Sequence, residues 1–224
     1  VVVVRESAEL VRVALADLAQ SVTIDLGGMA AGLATMTPDG KTTLLYSTLE
    51  GQEWIAVLSM TTGKLTALPL QKGVLSVAVA PGSATAIVIH SKRDEPIAPG
   101  DDLNTRIDKT DGYSILDIAS GYAKLERLDS PPGQVTITPD GAKAYVLITD
   151  TSGQGQHVVD DIDLKKVHIT PRHLGSPPEH AVYLPAADRV AVSQSHPVGR
   201  ITFIDTQSGS TQTVTGFELN GLIE

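Results

Sequence analysis

The sequence predicts an all-β chain built from one repeated unit of four short antiparallel strands. Three observations carry that expectation. First, a proline-centred turn recurs at Pro38 (TPDGK), Pro81 (APGSA), Pro139 (TPDGA) and Pro185 (LPAAD), at spacings of 43, 58 and 46 residues. The long interval holds a polar, Pro/Gly-bearing insertion over residues 92–110, KRDEPIAPGDDLNTRIDKT. Removing about 15 of its residues brings the period back near 43 throughout. Second, a Ser/Thr-Gly turn runs in step with the first, as TTGKL (61–65), ASGYA (119–123) and QSGST (207–211). Third, the segments between turns either alternate apolar and polar residues (IAVLSM, ITFID) or are apolar on both faces (AIVIH, AYVLI, VVVV). Four short strands per unit of about 40–45 residues make the blade of a β-propeller.

One unit shows the pattern in order. GLATM leads into the TPDG turn, TTLLYST follows, a loop leads to EWIAVLSM, and TTGK turns the chain into LTALPL. These are strands A, B, C and D. The chain itself begins at a strand B (VVVVRES), continues through C (LVRVALAD) and D (SVTIDL), and ends in a strand A (LNGLIE). The blades therefore fall at about 1–28 together with 219–224, then 29–73, 74–132, 133–176 and 177–218. Five blades are expected, the ring closing where the C-terminal strand pairs with the N-terminal one and removes two sheet edges. The alternative is an arc of a seven- or eight-bladed propeller. Helix is nearly absent from the pattern; a helical turn over Ala14–Gln20 (ALADLAQ) competes there with a hairpin turn.

Composition narrows the function classes. The core must be aliphatic, because hydrophobic residues make up 42% of the chain but aromatic ones only 4%. A net charge of −9 argues against nucleic acid as a partner, since phosphate binding needs a basic footprint. No apolar run approaches the length of a membrane span. The absence of cysteine removes disulfides, thiolate metal sites and thiol nucleophiles. The chain opens on Val1 without an initiator methionine or signal-like segment, which reads as a processed or trimmed product.

The units resemble the YVTN-type and WD40-like bacterial β-propeller repeats. The carriers are TPDGKTTLLYS with WIAVLSMTTGKL, GYSILDIASGYAKL, TPDGAKAYVLI and ITFIDTQSGST. The likeness spans about residues 1–220 and departs from the family at APGSA, at LPAAD and in the insertion. It implies a non-catalytic, protein-binding or scaffold module of a bacterial envelope or secreted assembly, with a protein as partner. A propeller-type hydrolase or lactonase with a metal or a histidine base at the channel mouth is the alternative. A propeller that binds a small ligand or glycan is a second one, disfavoured by one Trp and two Phe as sugar platforms.

Candidate residues follow from the rims. The A–B and C–D turns occupy one rim of a blade, and the B–C and D–A loops the other, where propeller ligands usually sit. His90, His157, His173, His180 and His196 map to this second rim, as do Asp101, Asp102 and Asp108 of the insertion. Imidazole and carboxylate there would suit a general base or a calcium or zinc ion, although no motif demands a cofactor. No HxH or HxxxH pair fixes ligand geometry, and the Asp run does not follow the EF-hand pattern. The plainer reading of the insertion is a solvated, mobile loop. No catalytic set emerges: Ser195 merely neighbours His196, and no nucleophile elbow is present. Trp54 is expected to pack between blades. Asp25, Asp117, Asp163 and Asp205 are expected to cap the turns that follow them.

Overall fold

A computed structural model describes residues 2–4, 9–14, 16–82, 84–150 and 157–216. The described strands form one three-stranded and four four-stranded antiparallel sheets, each a simple meander. Blade 1 holds β1 (Val2–Val4), β2 (Glu9–Ala14) and β3 (Asp17–Asp25). Blade 2 holds β4 (Leu33–Met36), β5 (Thr42–Tyr46), β6 (Trp54–Ser59) and β7 (Leu65–Pro69). Blade 3 holds β8 (Val74–Val79), β9 (Thr85–His90), the short helix α1 (Leu103–Asp108), β10 (Asp111–Asp117) and β11 (Ala123–Leu128). Blade 4 holds β12 (Pro132–Ile137), β13 (Lys143–Ile148), β14 (His157–Asp163) and β15 (His168–Leu174). Blade 5 holds β16 (Pro178–Leu184), β17 (Arg189–Gln194), β18 (Arg200–Asp205) and β19 (Thr211–Thr215). The strand expected over 219–224, and its pairing with β1, lie outside the described residues.

The blades are held together by side chains that leave their B strands in opposite directions. Successive residues of a strand point to opposite faces of its sheet. In β9, Ala86 and Val88 pack towards blade 2, while Ile87 and Ile89 pack towards blade 4. In β13, Ala144 and Val146 meet blade 3, and Tyr145 and Leu147 meet blade 5. Leu45 of β5 joins a cluster with Leu10 of blade 1, while Leu44 and Tyr46 join the cluster with blade 3. Among the described residues, four separate cores therefore lie between successive blades. Trp54 packs against the core between blades 1 and 2, its indole N–H donating to Gln52 Oε1 at 2.7 Å. The first strands of neighbouring blades approach one another, β4 with β8 and β12 with β16, which places strand A innermost.

The repeated turns are built alike. Thr37 donates its hydroxyl to Asp39 at 2.6 Å and accepts the Thr42 N–H at 3.1 Å. Thr138 does the same with Asp140 (2.6 Å) and the Lys143 N–H (3.0 Å). Gly40 (φ +69°) and Gly141 (φ +66°) supply the left-handed residue each turn needs. Asp25, Asp117, Asp163 and Asp205 accept backbone N–H groups of the turns after them, from Gly27, Ser120, Lys166 and Ser208, at 2.7–2.9 Å. Two local expectations fail. The segment from Asp17 onward is strand, paired to β2 through a register shift at Val13/Ala14, and not helix. The insertion, in turn, contains α1, with Asp102 as its N-cap.

The two TPDG glycines differ in their surroundings. A Cβ at Gly40 would meet only Met36 Sδ at 4.0 Å, whereas one at Gly141 would lie 3.1 Å from the Gly82 N of the preceding blade. Gly40→Ala is expected to cost about 1 kcal/mol from backbone strain alone. Gly141→Ala is expected to cost about twice that, which thermal melts would read as drops of about 2–4 °C and 4–8 °C. Equal drops would mean that the A–B turns of blades 3 and 4 do not touch.

Candidate functional site

Among the described residues, the second rim is made by B–C segments at 47–53, 91–110, 149–150 and 195–199, and by D–A loops at 26–32, 70–73, 129–131 and 175–177. Its most elaborate part is the insertion of blade 3. Far from being a free loop, it is tied at every turn. The Arg93 N–H donates to the Asp108 carbonyl at 2.8 Å and closes the loop at its base. Asp101 accepts the Ala98 N–H at 2.7 Å and faces Lys109 Nζ at 3.1 Å. The Ala98 N–H, with help from Lys109, holds its carboxyl below the ordinary aspartate range. Asp102 caps α1 by accepting the Thr105 N–H at 2.8 Å, and that bond lowers its pKa in turn.

A buried lysine anchors the whole segment. Lys72, in the loop between blades 2 and 3, is 1% exposed. Its Nζ donates to the carbonyls of Ile107 (2.6 Å) and Asp108 (3.1 Å) at the C-terminal end of α1, where unsatisfied carbonyls favour a cation. Burial lowers its pKa, and the nearby carboxylates of Asp108, Asp111 and Glu53 oppose the shift. Around it, Lys92 pairs with Asp111 at 2.9 Å, while Arg93 bridges Glu50 of blade 2 (3.5 Å) and Asp108 (3.6 Å). Glu50, Lys92, Arg93 and Asp108 line a recess between the loops of blades 2 and 3 with a volume of about 270 Å³. Glu53 stands on its wall with a raised pKa, through burial first and Asp108 second.

The expected histidines do not converge. His90 is 3% exposed and is not a rim side chain. Its Nδ1 meets the Gly73 carbonyl at 3.0 Å and its Nε2 the Ser114 hydroxyl at 2.7 Å, so both ring nitrogens are engaged. Burial brings its pKa down to about 4. His157 opens β14, half-buried, and His180 is exposed on β16. His173 is exposed near the end of β15, against a cleft between blades 3 and 4 that it shares with His168. His196 accepts the Val198 N–H at 3.4 Å within its own loop. Among the described residues, no three His, Asp or Glu side chains come together as a ligand set.

Beside its charged groups, four aliphatic side chains of this rim reach solvent. Leu49, Ile97, Leu103 and Val198, each more than half exposed, all sit on B–C loops. The sequence reading fixed on charged and imidazole groups and passed over these four, and it passed over Lys72 as well. A leucine directly after an N-cap aspartate (Asp102-Leu103) was the available signal for a helical turn with an outward apolar residue.

The fold was compared with known proteins. No family model matches the chain, and no curated protein matches it. Among solved structures, the chain resembles hydrazine synthase of Kuenenia stuttgartiensis, with a TM-score of 0.55 and 16% identity over 96% of this chain and 62% of that one. It also resembles the dihydro-heme d1 dehydrogenase NirN in complex with DHE, with a TM-score of 0.58 and 14% identity over 97% of this chain and 44% of that one. At such identities the likeness concerns the fold alone. It is that of a β-propeller. The chain spans less than two thirds of the length of either of these structures.

His90 gives the rim a pH signature. An unfolded chain takes up a proton on this histidine near the ordinary 6.5, and the folded chain only near 4. Between those values the unfolded state binds more protons, so stability from this group is complete above pH 6.5 and is lost as pH falls towards 4. The shift corresponds to about 3 kcal/mol. The stability advantage of the wild type over His90→Gln, from denaturant melts, is expected to shrink by about that amount between pH 6.5 and 4. A pH-independent difference would mean that the folded protein protonates His90 like a surface histidine.

Proposed function

We propose that this chain is a non-catalytic protein-binding module of the YVTN type, serving a bacterial extracytoplasmic assembly and engaging its partner through the B–C rim. One observation carries the reading. Leu49, Ile97 and Leu103 project from loops of blades 2 and 3 in which Glu50, Lys92, Arg93, Asp101 and Lys109 are ion-paired, and Val198 projects from the B–C loop of blade 5. Exposed aliphatic side chains over a rigid polar framework are what a protein interface requires: apolar anchors at low ordering cost, with charges placed to orient a partner. Acid–base or nucleophilic work needs an available group, and here Asp101 and Asp102 are committed to holding their own loop and His90 to Gly73 and Ser114. The proposed role uses no metal or organic cofactor. The repeat resemblance supports the bacterial, extracytoplasmic setting.

A photo-crosslinking residue at Leu103, on the B–C rim, is expected to trap a discrete partner in the producing cell. The same residue at Lys64, in a C–D turn of the opposite rim, is expected to trap none. Leu103→Asp and Ile97→Asp are each expected to weaken capture of that partner by about tenfold or more, with unfolding free energies within about 0.5 kcal/mol of the parent. Equal trapping from both rims, or undiminished capture by the aspartate variants, would refute the assignment.

A further inference from the structure

Blade 4 buries two consecutive acids in one strand, and their surroundings differ sharply. Asp161, on one face of β14, is ion-paired twice, with Lys143 at 2.9 Å and Arg172 at 3.0 Å. Asp160, on the other face, is equally buried at 4% exposure. Its Oδ2 accepts the Tyr113 hydroxyl of blade 3 at 2.8 Å. Among the described residues, no lysine, arginine or histidine lies within ion-pairing distance of it. A carboxylate removed from water is costly unless paired, and one neutral hydroxyl does not compensate a charge.

Asp160 is not sealed in a core. It opens onto a cleft of about 860 Å³ between β11 of blade 3 and β14 and β15 of blade 4. Leu128, Val158 and Pro171 give that cleft apolar wall. Its charged lining is acidic in balance: Glu126, Asp129, Asp150 and Asp160 against Lys124, which already lies 3.8 Å from Glu126. His168 and His173 stand at the two ends of β15 along the same wall.

We propose that this cleft binds an organic cation, an ammonium or guanidinium carried on an apolar body, with the Asp160 carboxylate as its counter-ion. The cation supplies the positive charge that Lys143 and Arg172 supply to Asp161, and its body covers the aliphatic wall. Tyr113 holds the carboxylate in place through Oδ2. Burial, with Glu126 adding to it, raises the Asp160 pKa above the ordinary value, a penalty that a bound cation reverses. The cleft reaches that rim through Asp129, Ser130 and Asp150 but includes none of Leu49, Ile97, Leu103 and Val198, and it does not depend on the role proposed for them.

The test uses the 224-residue chain at pH 7 with benzylammonium, its neutral counterpart benzyl alcohol, and Nα-acetyl-lysine methylamide. Saturable benzylammonium binding is expected by calorimetry, with benzyl alcohol weaker by about tenfold or more, as expected for a charge-assisted contact. The imidazole NMR signals of His168 and His173 are expected to shift on binding, while that of His196 stays still. The blocked lysine separates the sources: binding as strong as benzylammonium's points to a peptide side chain, weaker binding to a free amine. Asp160→Asn keeps an oxygen for the Tyr113 hydroxyl and is expected to weaken benzylammonium about tenfold; Glu126→Gln, at a half-buried position, is expected to weaken it by a smaller factor. No saturable binding, equal affinity for benzyl alcohol, or shifts confined to other histidines would overturn the proposal. If Asp160→Asn fails to fold, the wild-type comparison of the two probes and the histidine shifts decide alone.

Discussion

The structure depends on B strands that must satisfy two neighbours at once. β5, β9 and β13 each contribute alternate residues to two different cores, so the three middle blades depend on their neighbours. A buried aliphatic side chain contributes about 1.5–3 kcal/mol. Among the described residues, the buried members of these four cores are Leu, Ile, Val and Ala, with Tyr46, Tyr113 and Tyr145 as the large exceptions and Trp54 and Tyr183 packed at the margins. This is how a chain with 4% aromatic residues builds a propeller: many modest contacts spread over several flat interfaces. Strands further from these contacts are released from the constraint, and all five residues of β19 are exposed.

The same constraint divides the rims. Blades must be of one size to stack, so the A–B and C–D turns use a common chemistry: Thr and Asp side chains satisfying the backbone, with glycine at most positive-φ positions and Val167 and Asp188 at two others. The opposite rim is free to vary in length. The insertion of blade 3 uses that freedom, but it is fastened back to the ring by a lysine from the preceding loop. Lys72 links blade packing to rim shape, because its buried ammonium holds α1 and thereby sets where Leu103 projects.

Much of the fold was legible because turn residues act locally. The spacing of Pro38, Pro81, Pro139 and Pro185 located the strands, since each turn is made of its own side chains and needs no distant partner. The site was less legible, because its interactions are long-range. Lys72 bonds to carbonyls 35 and 36 residues away, which no local pattern announces. Asp160 and Asp161 look like ordinary polar residues of a half-exposed strand until blades 3 and 5 are placed on either side of them. His90 was misjudged for a different reason. Its position at a strand end suggested the rim, yet it follows Ala86 and Val88 on the alternation that leads inward, and that parity was readable. The helical turn in the insertion was hidden by its many charges, although Asp102 was a valid N-cap signal.

Native-state hydrogen exchange tests the two-sided packing of the B strands most directly. If blade-on-blade contact is what holds the chain together, amides of β9 and β13 exchange only through global unfolding. Those of the outer strand β19 then exchange through local opening, at a free energy lower by about 2 kcal/mol or more. Protection of β19 equal to that of β9, or β9 opening while its neighbours stay closed, would contradict the account.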